Sequence, residues 1–294
     1  MLKHLNAAPA APKRVVIMGA GSFVGGAIAA RLRKDGVSVL ALSRKEVDLL
    51  APDAHVRLNS YLKKDDAFVA VSALAPVKNP DMLVDNLVMA RAMAKALAGA
   101  DLAHVVNISS DAIYADSDAP LTETSCASPG SLHGAMHLAR ELLLRSEVRA
   151  PLAMLRPSLL YGADDPHNGY GPNRFRRLAL KGEDIVLFGE GEERRDHVFI
   201  DDVAELASLV LSHRSTGDLN IATGEVRSFR EIAELSVKFS GRTIGIKGSP
   251  RNGAMPHNGY RPFDVAAVRA AFPAFRFTPF DDAYARAFKG ADHG

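Results

Sequence analysis

Three groups of residues in this 294-residue chain have the types and spacing to do chemistry. In Arg14-Val-Val-Ile-Met-Gly19-Ala-Gly21-Ser22-Phe23-Val24-Gly25-Gly26, a β-branched apolar run meets a glycine turn and then an alanine-rich helical pattern. Strand, turn and helix in that order cradle a dinucleotide. Gly19 permits the tight turn, Gly21 lets the backbone approach a pyrophosphate, and Gly25 lets helix and strand pack closely. The helix end adds free N–H groups and a partial positive charge for the phosphates. A glycine-rich turn without a ligand is the plainer alternative. The second group is Ser43-Arg44-Lys45, which follows the apolar run Val37–Leu42. A carboxylate at that strand end would hold the adenosine ribose hydroxyls, whereas a guanidinium accommodates a 2′-phosphate. Arg44, with Ser43 beside it, therefore points to NADP(H) in preference to NAD(H), against the alternative of a solvated loop arginine. Asp48 lies where it could accept a bond from the adenine amino group or cap a local turn. The third group is His133 and His137, four apart in Leu132-His133-Gly134-Ala135-Met136-His137-Leu138-Ala139-Arg140-Glu141. At that spacing they share a helix face, and imidazoles exchange protons near neutral pH. A metal is the least favoured use, because no H-E-x-x-H glutamate lies between them.

The elements that must position these groups follow from periodicity. Val15–Met18, Val37–Leu42, Phe68–Leu74, Val105–Ile108 and Leu152–Leu155 read as buried strands, and Ala27–Arg33, Met82–Leu97 and Leu132–Val148 as helices. Asn79-Pro80-Asp81 opens the second helix and Gly99 stops it. Alternating strands and helices imply right-handed parallel crossovers and a doubly wound α/β sheet of the Rossmann kind. The dinucleotide-binding domain is expected over residues 14–162, after a loose tail at 1–13. Residues 163–294 are expected to form a smaller mixed α/β substrate lobe, partly interleaved with the sheet. It opens with a Gly/Pro-rich loop over Ala163–Asn173 and continues as a helix at Arg174–Lys181, a strand at Ile185–Phe188, a turn at Gly189–Gly191, a strand at His197–Ile200 and a helix from Asp201.

Composition sets the outer limits. Lys plus Arg number 36 against 34 for Asp plus Glu, so no global charge attracts nucleic acid or an anionic membrane, and an anion site must be local. One cysteine, Cys126, excludes an intramolecular disulfide framework and fits a reducing compartment. It sits among small residues, with no sign of an activated nucleophile. No stretch approaches the ~18 apolar residues of a membrane span. Met1–Pro12 has no apolar signal core, so the expected location is cytoplasmic.

The motifs along the chain, in order, are the glycine turn, Asn107-Ile-Ser109-Ser110-Asp111-Ala112-Ile-Tyr114, Arg156-Pro-Ser-Leu-Leu-Tyr161-Gly162, Phe188-Gly-Glu-Gly191, Arg195-Asp-His-Val-Phe-Ile-Asp-Asp-Val-Ala204 and Asn220-Ile-Ala-Thr-Gly-Glu225. With these the chain resembles the extended short-chain dehydrogenase/reductase family of NAD(P)-dependent nucleotide-sugar epimerases, dehydratases and reductases, from about residue 14 to 280. The stretch Ser43–Leu50 is similar to the NADP-using GDP-fucose synthase branch. Ser22 stands where the family's middle glycine is expected.

The resemblance implies Ser110 as the hydroxyl that holds the reacting oxygen, and Phe23, Val24, Leu49 and Ala73 as further cofactor contacts. It implies the Tyr of Y-x-x-x-K as the acid/base, with the Lys on the same helix face. Here His133 stands in the Tyr position and His137 in the Lys position, with Glu141 fixing the register. An imidazole near pKa 6.5 needs no neighbouring cation to act as a base, so His133 could exchange the proton and His137 bind the nicotinamide ribose. The alternative is a cofactor-binding protein with no turnover and a structural or sensing role. Arg195 and Arg261 occupy the family's diphosphate-clamping positions, which suits a guanidinium fork. Asp111, Asn173 and Arg174 are expected on the same substrate side. Ala112, where dehydratases carry Glu and GDP-fucose synthases Cys, leaves C4 epimerisation or reduction of a keto-sugar. Helices 82–98 and 132–148 are implied as a homodimer interface.

Overall fold

Val15-Val-Ile-Met18 and Ala67-Phe-Val-Ala70 contain no polar side chain, and every one of these residues is buried. Strands apolar on both faces belong inside a parallel sheet covered by helices on either side. The computed structural model describes residues 2–290, and in it they form that sheet. The chain runs β1 (Val15–Met18), α1 (Phe23–Lys34), β2 (Val39–Leu42), α2 (Ala54–Tyr61), β3 (Ala67–Ala70), α3 (Pro80–Ala98), β4 (His104–Ile108), a 3₁₀ turn (Asp111–Ile113), α4 (Leu132–Glu147) and β5 (Leu152–Pro157). It continues through β6 (Leu159–Tyr161), α5 (Pro172–Lys181), β7 (Ile185–Phe188), β8 (Arg194–Phe199), α6 (Ile200–Ser212), β9 (Gly217–Ile221), β10 (Val226–Ser228) and α7 (Phe229–Ser240). The last elements are β11 (Ile246–Ser249), β12 (Tyr260–Arg261), α8 (Ala266–Ala271) and α9 (Phe280–Lys289).

The large sheet has the order β2-β1-β3-β4-β5-β9, with all neighbours parallel. Its order reverses between β1 and β3, and at such a switch point a crevice opens beyond the carboxyl ends of the strands. Helices α1 and α6 pack on one face through Ile28, Leu32, Val203 and Leu206. On the other face α2, α3 and α4 supply Leu58, Met93, Leu97 and Leu144. The fold is therefore doubly wound, as the alternation of strand and helix patterns predicts. The sixth strand comes from residues 217–221, so the chain returns to the large sheet after it has left it at β5. The remaining C-terminal elements form β10-β8-β12 with β6 against β8, a β7–β11 pair, and a core around Phe175, Leu187, Phe229, Tyr284 and Phe288.

Several boundaries differ from expectation for identifiable reasons. The run Phe68–Leu74 leaves the sheet at Ala70, because the N–H groups of Val71 and Ser72 both turn to the Met18 carbonyl, each at 3.0 Å. Ile200 begins α6 instead of ending the preceding strand. Helix α2 went unpredicted; it has eight residues and no side-chain cap. The expected loose tail is tied down: Lys3 exchanges backbone bonds with Thr216 at 2.8 Å, and the His4 ring bonds Ser215 and the Ala271 carbonyl. Met1 of that tail and residues 291–294 of the C-terminal lobe lie outside the described residues. No described helix is long and apolar enough to cross a membrane.

Candidate active site

The glycine turn sits at the switch point. Gly19 has φ +102°, a conformation open to glycine, and a Cβ there would lie 2.6 Å from the Ser72 amide nitrogen beyond β3. A Cβ at Gly25 would overlap the Gly19 carbonyl oxygen, so strand and helix can approach this closely only through glycine. Gly21 is exposed, with nothing nearer to its missing Cβ than Ser43 at 4.0 Å. Ser22 caps α1, its Oγ accepting from the Gly25 N–H at 3.1 Å, while the Gly26 N–H goes to the Ser22 carbonyl. A helix start leaves its first N–H groups unpaired, and here Phe23 and Val24 are the ones left to a ligand. An open glycine backbone beside two free amides at a helix N-terminus fits a pyrophosphate. Gly25→Ala is expected to abolish dinucleotide binding, because the added carbon can be housed only by separating α1 from β1. Calorimetric titration with NADH and NADPH checks it, and undiminished heats would rule out this cradle.

Beyond the end of β2, Arg44 is exposed and pairs with Asp48 at 3.1 Å, while Asp48 also caps the Leu50 N–H at 3.1 Å. Leu49 is buried in the core and Ala73 is half-buried just beyond Ser72. Sequence inspection missed Glu46. Its carboxylate folds back to accept from the Ser43 N–H at 2.8 Å and Oγ at 2.6 Å. An acid thus does stand at the end of β2, brought back from four residues along the chain. The S-x-x-E spacing of a capping box was the signal available for it.

Helix α4 brings its chemistry to the ends of β3 and β4. Ser131 caps it, accepting from the Gly134 N–H at 3.1 Å. A Cβ at Gly134 would overlap the Ala112 carbonyl oxygen, so glycine alone lets the helix start seat on the turn that follows Ser110. Ser110 caps that turn by accepting from the Ala112 N–H at 3.1 Å. His133 is partly and His137 almost fully buried, with ring centroids 4.7 Å apart and edge to face. Neither Nδ1 has a hydrogen-bond partner. Burial holds both imidazoles below their usual titration range, His137 well below, and the Arg140 guanidinium acts in the same direction. Asp111 opposes the effect at His133. Below the rings, Glu141 is clamped by Arg156 through two bonds of 2.9 and 2.7 Å.

Of the residues expected to bind substrate, Arg195 is held through Nε by Glu193 at 2.7 Å, with no bond from its Nη groups to the described residues. Arg261 is more fully engaged. It reaches Asp111 Oδ2 at 2.8 Å, the Asp111 carbonyl at 2.6 Å, and Asp116 at 3.2 Å beside His257. Asn173 is buried, bonded to the Gly162 N–H, the Leu160 carbonyl and Asp165, and so fixes the loop entering α5. Arg174 is exposed on α5. The loop 163–171 crosses the crevice, with His167 Nε2 3.1 Å from the Ala75 carbonyl.

This geometry has known counterparts. The family model for the NAD-dependent epimerase/dehydratase family matches residues 15–222. The chain is 27% identical over 251 residues to a UDP-glucose 4-epimerase from Mycolicibacterium smegmatis, an overlap of 74% of this chain and 80% of that protein. Among solved structures, a Thermus thermophilus UDP-glucose 4-epimerase in complex with NAD superposes with a TM-score of 0.82 at 23% identity, covering 95% of this chain and 99% of the other. A GDP-L-fucose synthetase from Naegleria fowleri bound to NADP gives a TM-score of 0.83 at 16% identity, covering 98% and 96%. Proteins of this fold thus bind NAD in one case and NADP in another.

Proposed function

The chain belongs to the NAD-dependent epimerase/dehydratase family, and from that premise we propose that it transfers hydride at a nucleotide-sugar carbon, as an epimerase or a keto-sugar reductase. The observation that carries this reading is the meeting, at the ends of β1, β3 and β4, of a glycine cradle with two imidazoles that have no hydrogen-bond partner among the described residues. A bound nicotinamide dinucleotide would supply the acceptor and donor of hydride. The N–H groups of Phe23 and Val24 hold its pyrophosphate, and His137 hydrogen-bonds the ribose near the nicotinamide. Ser110 orients the sugar oxygen, and His133 takes up or returns the proton on it. Arg195 uses its free Nη groups on the substrate diphosphate. Arg261 serves as the second clamp only after it releases Asp116 and His257. Ala112 offers no carboxylate for eliminating water, which favours epimerisation or reduction over dehydration. The exposed Val84 and Leu142 on α3 and α4 suit a homodimer built on those helices.

We propose NADP(H) as the preferred cofactor, through Arg44. Its surface pair with Asp48 is of a kind readily exchanged for a 2′-phosphate. Glu46 works the other way, since a 2′-phosphate on Ser43 must displace it. Arg44→Ala is expected to weaken NADPH binding roughly tenfold, the loss of one charge-assisted contact, with NADH unchanged. Equal affinity for NADPH before and after the substitution would hand the preference to Glu46 and to NAD(H).

The second reading, a nucleotide-binding protein without turnover, draws on the histidines in place of Tyr and Lys. Titration with NADPH, NADH and several nucleotide-sugars, followed by product analysis, separates the two. Conversion of at least one nucleotide-sugar supports hydride transfer. Tight cofactor binding with no conversion across the panel supports the second reading.

A further inference from the structure

Helix α4 buries a positive charge that is hydrogen-bonded to no carboxylate among the described residues. Arg140 is 2% exposed and lies on the helix face that also carries His133 and His137. Its Nη1 donates to the Ser72 carbonyl at 3.0 Å and its Nη2 to the Ile108 carbonyl, while Nε has no partner. The adjacent carboxylate, Glu141, gives both its oxygens to Arg156. Burial pulls the guanidinium down to about 10, which leaves it charged at neutral pH. A buried ion without a counter-ion is costly to a fold, so its position calls for a function.

The partners of Arg140 supply one. Ser72 lines the cradle, its amide nitrogen standing where a Cβ on Gly19 would fall. Ile108 ends β4, two residues before Ser110. One guanidinium thus ties the wall of the cradle and the strand carrying Ser110 to the helix that carries the imidazoles. It also acts on those rings as a fixed charge, behind burial at both and behind Asp111 at His133. The other charged groups that bear on them are Asp111 from the 3₁₀ turn and His167 from the loop over the crevice.

We propose that Arg140 is a positioning residue for proton transfer: a buried cation on the helix face of His133 and His137 that locks the ends of β3 and β4 to α4 and sets a fixed positive charge beside both rings. This rests on His133 as the proton acceptor. The charge that the family places on a lysine at position 137 is, in this chain, carried three residues further along the same helix.

The test is an NMR titration of the imidazole signals in the cofactor-free full chain, for the wild type, Arg140→Gln and Arg140→Lys. Gln keeps a donor for the buried carbonyls but removes the charge; Lys keeps the charge. In the wild type, the His133 midpoint is expected below the usual value of about 6.5. In Arg140→Gln it should rise by about one pH unit, the scale on which a neighbouring charge acts. In Arg140→Lys it should stay near the wild type. An unchanged midpoint in Arg140→Gln, or a rise in Arg140→Lys equal to that in Arg140→Gln, overturns the proposal. If Arg140→Gln does not fold, Arg140→Met, which keeps the bulk without the charge, takes its place: a rise of about one pH unit supports the proposal and an unchanged midpoint overturns it. Because the readout needs no turnover, it is independent of the catalytic reading. A shifted midpoint with His133→Ala still fully active would retire His133 as proton acceptor and leave the charge effect of Arg140 standing.

Discussion

Replacing His133 by alanine should lower turnover by roughly 10²–10⁴-fold, the usual contribution of a positioned general acid/base, while NADPH still binds. The substitution removes the one group proposed to exchange a proton with the sugar oxygen and leaves the glycine cradle of β1 and α1 intact. Steady-state kinetics with a converted nucleotide-sugar, beside calorimetry for the cofactor, reads the two effects separately. The pH profile supplies a further sign. Burial lowers the His133 pKa in the folded protein, and an imidazole acts as a base only above its pKa. The wild type should therefore keep its base-dependent activity below about pH 6.5, where an unperturbed imidazole would already be protonated. Turnover of the alanine variant within a factor of about two of the wild type would be too small a change for a general base, and would remove His133 from the chemistry.

Arg156→Met is expected to lower folding stability by about 3–5 kcal/mol, the cost of stranding one partner of a buried ion pair. Arg156 grips Glu141 with two bonds, reaches Asp218 on β9 at 2.9 Å, and donates to the Tyr114 hydroxyl at 2.9 Å. Tyr114 in turn donates to Asn220 at 2.7 Å. The network joins α4, β5, β9 and the turn after Ser110, and so fixes the helix that carries both imidazoles. Methionine fills much of the same space but leaves the Glu141 carboxylate with only the weak contact to Arg145 at 3.5 Å. Urea denaturation of the two proteins measures the difference. A loss below about 1 kcal/mol, typical of an exposed pair, would mean that water reaches Glu141 and that the network does not anchor the helix.

What could be read from the chain alone was mostly local. Val15–Met18, the glycines after it and the alanine-rich segment that follows make a strand, a turn and a helix through short-range preferences, and they occur as such. The parallel sheet was legible for the same reason, since apolar runs alternate with helical spacing. Contacts between distant residues were not legible. Nothing in Arg261 announces that it will be held by Asp111, 150 positions away, and the N-terminal residues gave no hint of the edge at Thr216 that ties them down. Arg140 is intermediate. Its spacing from His133 and His137 places it on their helix face, but only packing reveals that its charge is sealed in. Glu46 lies three residues after Ser43 and reaches the strand end only because its carboxylate folds back onto the Ser43 N–H and hydroxyl.

Hydride transfer itself is tested most directly with deuterium. The protein is incubated with nicotinamide cofactor carrying deuterium at its hydride position and with a nucleotide-sugar or keto-sugar partner, and the product is examined by mass spectrometry and NMR. Transfer at the sugar carbon predicts deuterium from the cofactor on that carbon in the reductive direction. An epimerisation would instead show its label returned within a single bound cofactor. Calorimetric binding of both ligands, with no exchange of label between them and no altered sugar, would contradict hydride transfer and leave a dinucleotide-binding protein.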